Sequence, residues 1–132
     1  MLESSIFILT KCTTTSNQVY YHFLMKQYTI VNQTYVDLLT QSLKCICNDT
    51  ISKNNIIFDC SQLKSASAMK TFCSLNLKDA LSLKNEGLSK FIIVSSSQFL
   101  KLFATPIIHL KKASHYTFIT ETLASAELLL AI

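Results

Sequence analysis

In Asn54-Asn55-Ile56-Ile57-Phe58-Asp59-Cys60-Ser61-Gln62-Leu63-Lys64-Ser65-Ala66-Ser67, a short apolar run breaks off into a polar turn, and a helical pattern starts directly after it. An apolar run without alternation reads as a strand buried on both faces, as in a parallel sheet covered by helices. The stretch is therefore a strand-to-helix edge of an α/β sheet, where the loops beyond the strand ends carry function. Its turn has no glycine-rich phosphate cradle, no Ser–His pair and no metal-ligand spacing. The expectation is a protein that is not an enzyme and that carries no cofactor and no metal.

Working outward from this strand, Ser5 to Thr10 alternates weakly and predicts a first strand, followed by the polar turn Thr13 to Asn17. Gln18 to Lys26 predicts a second strand, hairpin-paired with the first. Asn32 or Thr34 is the expected cap of a helix carrying Tyr35, Leu38, Leu39, Ser42, Leu43 and Ile46 on one face and ending at Asn48-Asp49. The buried strand Ile56 to Cys60 follows. Ser65 or Ser67 then caps a helix with Met69, Phe72, Cys73, Leu77, Ala80 and Leu81 on its apolar face, stopped at Asn85-Glu86-Gly87. Phe91 to Val94 is another all-apolar strand. Ser95 to Ser97 caps a third helix, with Phe99, Leu102, Phe103, Ile107 and Leu110 expected on its inward face and a kink or break at Pro106. Tyr116 to Ile119 predicts the last strand, and Thr120 caps a last helix with Glu121 in its first turn. The order β-β-α-β-α-β-α-β-α implies one domain over residues 1–132: an α/β fold with a mostly parallel sheet of four to five strands, helices packed on it and an antiparallel edge strand.

Composition narrows the function. The chain has 132 residues, 49% of them hydrophobic, with one Gly and one Pro, which suits one compact core. The net charge of +4 comes from 12 basic against 8 acidic residues, and every basic residue is lysine. Scattered lysines without arginine argue against nucleic-acid recognition and leave no bidentate anchor for a phosphate. Met1 to Ser5 carries an acid where a signal peptide needs basic residues, and no apolar stretch reaches the roughly 20 residues that cross a bilayer. A cytoplasmic protein without membrane insertion is expected.

Five cysteines, at 12, 45, 47, 60 and 73, form no C-x-x-C pair and read as reduced, mostly buried small hydrophobes. Asp59 lacks the acidic pair after the first strand that a phosphoryl-accepting aspartate needs for Mg²⁺, so it reads as a turn residue that accepts backbone N–H bonds. His22, His109 and His115 lie in different elements and carry no local catalytic signature. Lys111-Lys112 is expected to stabilise the carbonyl end of the third helix. Tyr20, Tyr21, Phe23 and Tyr28 make an aromatic strand; on an edge it would support a homodimer, while Tyr21 and Phe23 are expected to pack inward.

The order of elements resembles the STAS fold of anti-sigma-factor antagonists, the SpoIIAA-like proteins. Ile56 to Leu63 looks like that family's central strand and Phe91 to Val94 like its next. Phe118-Ile119, Glu121 and Ala126 to Leu129 look like its closing segment. Lys64-Ser65-Ala66-Ser67 is similar to the turn of a group of bacterial STAS-like proteins. The resemblance implies a regulatory module that binds other proteins. Kinase-regulated members carry Asp-Ser-Ser-Gly in this turn; Ser67, Ala68, Met69 and Lys70 stand at those positions, so the phosphoserine switch does not carry over.

The function expected from the sequence is thus non-catalytic protein–protein interaction through Ser61, Lys64, Ser65, Ser67 and Lys70, with a partner of acidic surface. The alternative is a small-molecule or lipid-binding module, since the related SEC14-like fold holds apolar ligands. A cysteine-dependent enzyme built on Cys60 ranks third.

Overall fold

The computed structural model describes residues 2–3, 7–26, 33–48, 54–82 and 88–132. The strands are β1 (Leu2–Glu3), β2 (Phe7–Thr13), β3 (Val19–Met25), β4 (Asn54–Asp59), β5 (Leu88–Val94) and β6 (Thr117–Thr120). The helices are α1 (Gln33–Asn48), α2 (Ala66–Thr71), a π-helical turn (Phe72–Leu77), α3 (Lys78–Leu81), α4 (Gln98–Leu110) and α5 (Leu123–Leu130). The fold is α/β, and the sheet order β1-β2-β3-β4-β5-β6 follows the chain. The first two pairings are antiparallel; the pairings of β3 with β4, β4 with β5 and β5 with β6 are parallel.

Right-handed crossovers between successive parallel neighbours place every connecting helix on the same face. The burial agrees. Phe7, Phe23, Ile56, Phe58, Phe91 and Ile93 meet Leu39 and Leu43 of α1, Met69, Phe72 and Leu77 of the second helical segment, and Leu100 and Ala104 of α4. The alternate residues Tyr20, Ile57, Ile92 and Val94 face the other way, against Ala126 and Leu130 of α5. Ile56, Ile57 and Phe58 are fully buried because helices cover both sides of β4, as the unbroken apolar run predicts.

Several boundaries differ from the sequence reading. The strand expected to end at Thr10 runs on to Thr13, because pairing with Val19–Met25 continues to the tight turn at Asn17, whose φ of 64° an asparagine tolerates; its expected start at Ser5 lies outside the described residues. The aromatic strand β3 lies between β2 and β4, so its backbone is already paired and cannot serve as a dimer edge. Phe23 packs inward and Tyr21 partly so, while Tyr20 is buried on the α5 side. The last strand is Thr117–Thr120, and α5 is capped by Thr122 rather than Thr120, which leaves Glu121 before the helix. Asn32, Tyr28, Asp49 and Asn85 to Gly87 lie outside the described residues.

Helix α4 departs most. It runs unbroken through Pro106. Pro106 removes the bond to the Leu102 carbonyl, but both residues are exposed, so water can serve that carbonyl. The inward residues are Leu100, Ala104 and Ile108, whereas Phe99, Leu102 and Leu110, expected inside, are exposed. Gln98, Lys101, Thr105 and His109 share one narrow arc and apolar residues cover about two thirds of the helix, so its periodicity does not select which part of that wide apolar face meets the sheet.

Candidate functional site

Strands β3 to β6 run parallel, so Leu24, Asp59, Val94 and Thr120 are in register near one edge of the sheet. The turn after Asp59 is held at several points. The Cys60 N–H donates to the Val94 carbonyl at 2.8 Å, which extends the ladder one residue past β4. The Leu63 N–H donates to the Cys60 carbonyl at 3.0 Å and closes a tight turn around Ser61 and Gln62. Leu63 is buried and pins the turn to the core, and the Lys64 ammonium donates to the Ser61 carbonyl at 2.8 Å.

Asp59 anchors the start of that turn. Its Oδ1 accepts from the Ser61 N–H at 3.0 Å, the turn role expected from the sequence, and its Oδ2 lies 2.9 Å from Nε2 of His22. Burial raises the carboxyl's pKa, but the hydrogen bonds from His22 and Ser61 outweigh this and hold it below the ordinary carboxylate value. Sequence reasoning missed His22. The signal available was alternation: His22 shares the α5-side parity of Tyr20 on β3, and β3 pairs with β4 only after the parallel register is known.

Beyond the turn, Ser65 caps α2, its Oγ accepting from the Ala68 N–H at 3.0 Å. Ser61, Lys64, Ser65, Ser67 and Lys70 are all exposed around this helix start. Met69 and Phe72 are buried beneath them. The structure thus gathers the five residues on one surface, with Ser65 committed to the cap and Lys64 to the Ser61 carbonyl. Ala68 has no hydroxyl and is buried.

Of the described cysteines, Cys60 and Cys73 pack in the core, Cys12 is partly buried and Cys45 is exposed. Cys60 and Cys73 are buried free thiols; burial pushes Cys60 well above its ordinary pKa and Cys73 up to about 12. A thiol so placed is a poor nucleophile, because the reactive thiolate is disfavoured. Cys45 is exposed on α1. Among the described residues no group of three His, Cys, Asp or Glu side chains is placed to hold a metal ion, and no helix is long and apolar enough to cross a membrane.

Comparison with models of known protein families, with characterised proteins and with solved structures finds no match.

Proposed function

We propose that this protein is a non-catalytic regulatory module that binds another protein through the turn and helix start from Ser61 to Lys70. One observation carries the reading: Lys64, Ser67 and Lys70 stand in solvent on a backbone fixed by the Cys60–Val94 bond, buried Leu63 and the Ser65 cap. A surface fixed before binding loses little conformational freedom on association, which favours recognition. Lys64, just before the helix, and Lys70, one turn into it, suit an acidic partner segment.

The resemblance to anti-sigma-factor antagonists supports the same reading, since it turns on this strand and turn. Ala68 makes the interaction independent of a phosphoserine switch at that position. Free cysteines suit the reducing cytoplasm of a cell. The apolar-ligand alternative needs room beside the sheet. A chain of ring contacts from Phe7 to Phe23, Phe58, Phe72 and Phe91, with centroids 4.9–5.5 Å apart, occupies the space between sheet and helices, which favours the first reading.

The test is site-directed photo-crosslinking in the native host. A photoreactive side chain at Ser67 should capture a discrete protein, and one at Thr15, in the hairpin turn at the opposite end of β3, should not. Equal capture at both positions, or none at Ser67, would reject the assignment.

A further inference from the structure

We propose that the exposed arc of α4 adsorbs the protein onto an anionic lipid bilayer, with no segment crossing it. Phe99, Leu102 and Leu110 are 57%, 66% and 71% exposed. With exposed Pro106 they are spaced i, i+3, i+7, i+11 along α4, which puts all four within an arc of about 80°. The packing needs of the helix are already met on its other side by Leu100, Ala104 and Ile108. Three large apolar side chains thus stand mostly in water on the side of the helix away from its core contacts.

The charge around the stripe has one sign. No acidic residue occurs from Leu88 to Thr120, while Lys101, Lys111 and Lys112 lie on α4 and its C-terminal turn. None of these lysines has a carboxylate partner among the described residues. Lys44, Lys64, Lys70 and Lys78 add to the same helical layer, against Asp37 and Asp79. A helix that shows Phe and Leu to solvent, flanked by lysines whose stems can lie along an apolar surface, has the make-up of an interfacial helix on anionic lipid.

Other occupants fit less well. Two copies meeting along this arc would bring lysine rows together with no acid between them. A partner's helix would need a slot, but the depression lined by Gln98, Lys101, Leu102, Thr105 and Pro106 is shallow and open. Lysines, as point charges, suit a diffuse field of headgroups better than fixed paired carboxylates.

The experiment is co-sedimentation of the whole chain with phosphatidylcholine vesicles, with or without about a third phosphatidylserine. Binding is expected only to the anionic vesicles and should fall with added salt. Lys101→Ser with Lys112→Ser should weaken it about 25-fold, near fivefold per lysine. Leu102→Ser with Leu110→Ser should weaken it about tenfold or more. All four positions are exposed, so folding should persist, and circular dichroism checks this. Failure of the folded wild type to sediment, equal binding to neutral vesicles, or wild-type binding by either folded double variant would overturn the proposal. Capture at Ser67 is read separately, so each proposal can fail alone.

Discussion

Asp59 holds the turn that follows it, and its ionisation is therefore coupled to stability. Its folded pKa is depressed, so its contribution is present above the unfolded value, near 3.8, and is lost as pH falls through the folded value. Asp59→Asn should cost about 1–3 kcal/mol at neutral pH. The gap between wild type and variant in urea unfolding should narrow as the pH falls below about 3.8. A gap constant from neutral to acid pH would show that the His22 and Ser61 bonds do not depend on the charge. The thiols give a second residue-scale expectation. In the folded protein at mildly alkaline pH, iodoacetamide should label exposed Cys45 quickly, and Cys60 and Cys73 only at the rate of unfolding. Fast labelling of Cys60, read by mass spectrometry, would contradict its burial. The turn role of Asp59 was legible in the sequence because it is local. Its pairing with His22 was not, since those two residues meet only through the register of β3 and β4.

At the scale of elements, periodicity finds the inward face of the second helical segment, where Met69, Phe72, Cys73, Leu77, Ala80 and Leu81 are all buried as expected, and misleads in α4. Buried pairs recur every four residues at Ala68-Met69, Phe72-Cys73, Asn76-Leu77 and Ala80-Leu81. An α-helix advances about 40° past a full turn at each such step, so a regular helix would rotate the later pairs out of the core. The wider π turn over Phe72–Leu77 absorbs that drift and carries Asn76 inside with Leu77. The four-residue repeat was visible in the sequence, but polar Asn76 interrupted it. In α4 the apolar surface is too wide for the inward arc to be read, and of the five residues expected inside Phe103 and Ile107 pack partly against the core while Phe99, Leu102 and Leu110 are exposed. Pro106 is tolerated on the exposed arc at a cost. Pro106→Ala should raise stability by about 1–3 kcal/mol, and a lowered melting temperature would mean that the proline supports the helix. The same helix ends with Lys112 at a φ of 54° while the Ala113 N–H reaches the Ile108 carbonyl at 3.0 Å. That arrangement favours glycine at Lys112. Lys112 therefore shapes this end through its backbone geometry.

At the scale of the whole molecule, the two-faced sheet explains why the architecture was legible. Strands β4 and β5 carry the short unbroken apolar runs Ile56 to Phe58 and Phe91 to Val94, and only a sheet covered on both sides makes that pattern favourable. The two-residue β1 and the strand limits were not legible, because cross-strand pairing decides them. Phe58 stands at the centre, in edge contact with Phe23, Phe72 and Phe91. Phe58→Ala should cost about 3–5 kcal/mol, measured by chemical unfolding. A cost below about 1 kcal/mol would mean that the ring chain does not hold sheet and helices together. The candidate site was legible as a stretch, Ser61 to Lys70, since it follows from where a buried strand must end. The proposed function is that this stretch meets a protein partner. Its most direct test compares proteins captured from the native host by wild type and by Lys64→Glu with Lys70→Glu. Exposed charges contribute only about 0–1 kcal/mol to stability, so the variant should melt within a few degrees of wild type while losing the partner. A folded variant that retains the same partner at wild-type level would contradict the claim.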